Sequence, residues 1–192
     1  PDVAVYAEGE HDVHPPVRIY ADGERDLLAL QSDIPVSPNA AGGFAECLVD
    51  WFGAQDATPI FLVGLAAEKA EVPAMYGVST GSLGHVLSEY DIDPPSDSGM
   101  VSGPTGALLA RADQVGQDGL GLVVEANPQF PDPEAARVLL TDGVGPVAGV
   151  EVDTDALVEQ AEEIAEAREK LAQRMQEQTQ ESSRAQPVGM YQ

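Results

Sequence analysis

Ser102-Gly103-Pro104-Thr105-Gly106 stands between an apolar stretch and a helical one. Backbone N–H groups at the start of a helix can hold a phosphate or a carboxylate. This turn lacks the lysine of phosphate-binding loops and the spacing of dinucleotide-binding ones, and Pro104 removes one donor. The competing expectation is a tight turn whose glycines let a strand and a helix approach closely. Glu125 and Asn127 end a second apolar run, where sites of α/β proteins collect. A carboxylate there either serves chemistry or caps neighbouring backbone. His11 and His14, with Glu8 and Glu10 nearby, are of metal-ligating type. Their spacing shares a face only on a helix, the segment "HDVHPP" predicts a loop, and no further Cys or His cluster completes a ligand set. His85 is isolated in a helical pattern, and Ser79, Thr80 and Ser82 flank Gly81 without a nucleophile elbow. No acid, base and nucleophile come together, so no catalytic residue, metal or cofactor is expected. One stretch has a different character: a polar run of Gln, Ser, Arg and Pro with nothing to bury closes on Met190, Tyr191 and Gln192.

The elements that must position these residues follow from periodicity. "VAVYAE", "VRIYAD" and "LLALQSD" predict strands separated by turn-prone segments. "SPNAAGGFAECLVDWFGAQ" predicts a helix with Phe44, Leu48, Trp51 and Phe52 on one face. "PIFLVGLA" and "LGLVVEAN" are continuous apolar runs of the kind that form strands buried on both faces. "AMYGVSTG" predicts a strand leading into a short helix, "SLGHVLSEY". "MVSGPTGALLARADQVG" predicts strand, glycine loop and helix. "PDPEAARVLL" carries a helix start, with Asp132 as N-cap, Pro133 in the first position and Glu134 in the first turn. Strands alternating with helices after an antiparallel opening predict a three-layer α/β/α domain with a mixed sheet over residues 1–152. Asp153 or Thr154 can cap a helix over 153–178. Its stripe of Leu157, Ala161, Ile164, Arg168, Leu171 and Met175 is narrow and broken by Arg168, which favours docking on this or a neighbouring subunit over a free coiled coil. A flexible tail over 179–192 follows.

The chain has 192 residues, 33 of them acidic and 9 basic, for a formal net charge of -24. Such a surface repels nucleic-acid phosphates and anionic membranes, so neither is an expected partner. The acidic residues are dispersed rather than run together, which predicts adaptation to a salt-saturated cytosol instead of a disordered acidic segment. At 1 M salt the screening length is about 3 Å, and the self-repulsion largely disappears. The single cysteine, Cys47, predicts a small buried hydrophobe. No run approaches the ~20 apolar residues of a membrane span, and no signal peptide pattern is present, so a cytoplasmic protein is expected.

"SGPTGALL", "GLVVEANPQFPDPEAARVLL" and "VPAMYGVSTG", together with the charged C-terminal helix, resemble the archaeal branch of the proteasome assembly chaperone family. The resemblance covers most of residues 1–178. It implies an α/β/α domain with nucleoside-phosphorylase-like topology, homo-oligomerisation and no enzyme activity. It also implies a strand–helix unit ahead of residue 1, in keeping with the missing methionine. In that context Met190-Tyr191-Gln192 matches the hydrophobic–Tyr–any-residue ending of proteins that dock between α-subunits of the proteasome core particle. The alternative is a small-molecule or anion-binding enzyme of nucleoside-phosphorylase-like fold, using Ser102, Gly103, Thr105 and Gly106 with Glu125 or Asn127.

Overall fold

The computed structural model describes residues 3–6, 8–9, 11–66, 72–128, 131–157 and 159. Seven strands and five α-helices occur among them. A two-residue ladder, β1 (Val5–Tyr6) with β2 (Val13–His14), opens the chain. The segment containing His14, expected as a loop, is therefore partly extended. Next comes an antiparallel hairpin, β3 (Val17–Asp22) with β4 (Leu27–Ser32), in full register from Val17↔Ser32 to Asp22↔Leu27. Its turn is held by Asp22, whose Oδ1 accepts from the N–H groups of Glu24 and Arg25 at 3.0 and 3.2 Å. A short carboxylate that bonds its own downstream backbone is what makes Asp a turn residue.

Helix α1 (Pro38–Ala54) leads to β5 (Ile60–Ala66); β6 (Met75–Thr80), α2 (Gly84–Glu89), α3 (Gly103–Val115) and β7 (Gly119–Ala126) follow. The strand order is β5–β7–β6, with β5 parallel and β6 antiparallel to β7, so the sheet is mixed. α4 (Pro133–Val138), a π-helical turn over Leu139–Val144 and α5 (Gly145–Ala148) complete the described body.

Strand β7 organises the core. Six of its eight residues, from Gly119 to Val124, are buried. Leu120 and Leu122 pack with Leu87 of α2 and Ile92, and against Leu139, Val144 and Val147. Val124 packs with Ala135 and Val138 of α4. Phe61, which lies beside Gly121, enters a separate cluster with Ala45, Leu48 and Val49 of α1 and Leu108 and Ala112 of α3. The chain is a mixed α/β protein, as its pattern of runs and helices predicts.

Three local expectations are corrected. Cys47 is exposed, because Ala41, Ala45, Leu48 and Val49 set the buried face of α1 and residue 47 falls off it in helical phase. β5 is apolar throughout but not buried on both faces: Leu62 is 47% and Leu65 45% exposed. Among the described residues it has only β7 as a neighbour, whereas the interior position belongs to β7. Met100 and Val101 form no strand, and the glycine loop expected at 102–106 is the first turn of α3 itself, with Pro104 at its start.

Candidate functional site

The loop Gly116–Asp118 reverses the chain between α3 and β7, so α3 begins at the end of the sheet where β7 finishes. Ser102–Gly106 and Glu125–Asn127 are thus brought to one end of the sheet. No hydrogen bond between the two groups is found among the described residues.

The turn is packed rather than open. A side chain on Gly106 would collide with the carbonyl of Val101. Its N–H donates to the Ser102 carbonyl at 3.4 Å. Gly103 has φ +71°, the left-handed region that glycine tolerates best. Ser102 takes the N-cap position, yet its side chain makes no capping bond. Glu125 spends a carboxylate oxygen on its neighbour: Oε2 accepts from the Ala74 N–H at 3.2 Å, while the Glu125 N–H donates to the Ala74 carbonyl at 2.9 Å. That is the backbone-capping geometry. Asn127 donates its N–H to Asp132 Oδ2 at 2.8 Å, and Asp132 Oδ1 accepts from the Ala135 N–H at 3.2 Å. One carboxylate therefore ties the exit of β7 to the start of α4, as the Asp132 cap predicts.

Other residues of reactive type have structural partners. Asp118 Oδ1 accepts from both the N–H and the hydroxyl of Ser82, at 2.7 and 3.1 Å. Gly81, at φ +65°, lies so close to Asp118 that a side chain there would overlap the carboxylate. His85 places Nδ1 2.9 Å from the Ser82 carbonyl, not from its hydroxyl, so the three groups form no proton relay. Thr80, buried, donates its hydroxyl to the Gln117 carbonyl at 2.8 Å. This latch between the β6 exit and the β7 entry went unseen in the sequence, because its partners lie 37 residues apart. Among the described residues no group of three His, Cys, Asp or Glu could hold a metal ion. No helix among them is long and apolar enough to cross a membrane. A shallow groove of about 420 Å³ lies between α1 and α3, lined by Gly42, Glu46, Ala107 and Arg111 among others. None of the expected ligand residues lines it.

Comparison with known proteins supplies what this geometry does not. The family model for PAC2 matches residues 1–172. The chain belongs to the PAC2 family. An uncharacterized protein of Methanocaldococcus jannaschii is 31% identical over 163 residues, which is 83% of this chain and 65% of that relative. The chain thus spans about two thirds of that relative's length. Among solved structures, Pyrococcus furiosus PbaA, described as an archaeal homolog of proteasome-assembly chaperone, matches with a TM-score of 0.77 at 22% identity. That match covers 95% of this chain and 75% of PbaA. Pyrococcus furiosus PbaB, described as an archaeal proteasome activator, matches with a TM-score of 0.72 at 21% identity, over 89% of this chain and 77% of PbaB. These likenesses establish the PAC2 fold.

The remaining expected site, Met190, Tyr191 and Gln192, lies outside the described residues, as does the helix expected to precede it beyond residue 159. Residues 155–157, at the expected beginning of that helix, are helical. Asp153 Oδ1 accepts from the Asp155 N–H at 3.0 Å, and the Leu157 N–H donates to the Thr154 carbonyl at 2.9 Å.

Proposed function

We propose that this PAC2-family chain is a non-enzymatic, cytoplasmic proteasome factor of a salt-rich cell. In this reading it assists assembly of the core particle or docks on its gate. Its scaffold is a three-layer α/β/α body that forms a homo-oligomer, carrying an amphipathic helix and a flexible tail. Met190, Tyr191 and the Gln192 carboxylate insert between neighbouring α-subunits. The observation that carries the reading is the conjunction of PAC2 membership with a hydrophobic–Tyr–any-residue ending. The fold shared with a chaperone homolog and a proteasome activator supports it.

The chemistry suits those residues. A well-buried methionine or aromatic side chain contributes about 1.5–3 kcal/mol. The phenol requires one hydrogen-bond partner, and a terminal carboxylate suits a cationic pocket. In concentrated salt that ion pair weakens, and apolar insertion carries more of the affinity. About fifteen flexible residues from Gln178 reach roughly 20 Å, so the tip can search while the body stays outside. An oligomer facing a ring of pockets would gain avidity from several weak tips.

The test is a pull-down of halophilic proteasome core particles in concentrated KCl, with the full chain, a chain lacking 190–192, and Tyr191→Ala. The reading expects binding by the full chain alone, with the melting temperature unchanged in both variants. Equal binding by all three would move the contact to the folded body and remove the tip from the mechanism.

A further inference from the structure

The β3–β4 hairpin is amphipathic, and among the described residues its apolar face packs into no core cluster. In its register, Val17↔Ser32, Ile19↔Leu30 and Ala21↔Leu28 share one face, while Arg18↔Gln31, Tyr20↔Ala29 and Asp22↔Leu27 share the other. The second face is organised internally: Arg18 donates to the Tyr20 hydroxyl at 2.9 Å and pairs with Asp33 at 2.7 Å. The first has no charged residue, yet Ile19, Leu28 and Leu30 are 42%, 43% and 38% exposed. None of the hairpin residues belongs to the three core clusters. A two-stranded ribbon is marginal by itself in water and needs a hydrophobic cover.

Size decides between two covers. Six residues of strand span about 20 Å, and two strands about 10 Å. That footprint is far below the ~800 Å² per partner of a stable dimer, so hairpin-on-hairpin pairing of two copies is too small. A segment already tethered to the same chain faces no such threshold, because its effective concentration is high. The sequence holds an apolar stripe of matching length beyond the described body. Leu157, Ala161, Ile164, Arg168, Leu171 and Met175 form the stripe of the helix expected over 153–178, and on a helix Leu157 to Leu171 would span about 21 Å. Charge sets its direction. Residues 153–167 contain no Lys or Arg, whereas Arg168, Lys170 and Arg174 follow. The hairpin turn is acidic, with Asp22, Glu24 and Asp26, and its one cation, Arg25, is engaged with Asp22 at 2.5 Å.

We propose that the C-terminal amphipathic helix of the same chain docks on the Ile19–Leu28–Leu30 face. In this arrangement the helix would run from the open end of the hairpin toward its acidic turn, with Arg168, Lys170 and Arg174 beside that turn. The tail then leaves the body from the hairpin tip. This inference stands independently of what the tail binds.

The experiment joins cysteines with a short bifunctional maleimide in full-length protein carrying Cys47→Ser, because Cys47 is itself exposed. The pair Leu28→Cys with Ile164→Cys should link within one chain several-fold more efficiently than Tyr20→Cys with Ile164→Cys, whose hairpin residue is on the opposite face. Leu30→Cys, one pair along the same face, replaces Leu28→Cys if that variant does not fold. Equal efficiency at both pairs overturns the proposal, since an undocked helix would meet either face. Products linked only between two chains overturn it as well, by assigning the cover to a second copy.

Discussion

Strand β7 is Gly-Leu-Gly-Leu-Val-Val-Glu-Ala, and β4 of the hairpin is Leu-Leu-Ala-Leu-Gln-Ser. Both are short, leucine-rich and free of basic residues. Leu122 in the first is fully buried, whereas Leu30 in the second is 38% exposed. The difference lies in their neighbours. β7 has a strand on each edge, and its residues meet helices in two separate clusters. Among the described residues β4 has one partner strand and belongs to no cluster. Burial is a property of what surrounds a strand, so equal hydrophobicity can encode a core in one place and a docking surface in another.

That contrast can be broken by mutation. The largest effect is expected at Leu122→Ala, which removes a fully buried side chain and should cost about 2–5 kcal/mol in chemical denaturation. Leu28→Ala in the full chain should cost clearly less, because its side chain is already 43% exposed in the described body. Equal losses would mean that the hairpin face is as thoroughly covered as the core. Next comes Gly106→Val, where the new side chain meets the Val101 carbonyl and must displace backbone. A loss of about 1–3 kcal/mol is expected, as for overpacking elsewhere. A neutral Gly106→Val would show that the turn has slack, and would reopen it as a ligand cradle. Asp132→Ala removes the cap of α4 and the acceptor of the Asn127 N–H together. Thermal melts should register a loss of about 1 kcal/mol, the usual value for an N-cap.

Those four positions lead on to which features could be seen in the sequence. The start of α4 was legible because capping is local: Asp132, Pro133 and Glu134 state it within three residues. The mixed α/β class was legible because apolar runs and helical stripes alternate. Cys47 was misjudged from residue type, when helical phase relative to Ala45, Leu48 and Val49 decides its exposure. β5 was misjudged because an apolar run does not say whether a strand lies on its outer side. The packed state of the turn at 102–106 depends on where the Val101 carbonyl lies, which no spacing rule encodes. The ending at Met190–Gln192 acquired meaning only through resemblance to a family, since three residues carry no periodicity to read.

The smallest effect, and the sharpest test of the hairpin as a surface element, concerns Asp22. Its carboxyl is held below the ordinary carboxylate range, first by the Arg25 side chain and then by the Glu24 and Arg25 backbone N–H groups. A depressed folded-state pKa stabilises the fold above the unfolded value, near 3.8. That stabilisation disappears as the pH falls through the lower, folded value. Asp22→Asn keeps one acceptor but removes the charge. The variant should therefore be slightly less stable than the parent at neutral pH and indistinguishable from it in strong acid. Because Asp22 sits at the solvent, the gap should shrink further as KCl is raised, within the few-ångström screening of molar salt. A gap that persisted in concentrated KCl would place Asp22 beneath a cover. In the proposed docking, Arg168, Lys170 and Arg174 would be the cations that provide it.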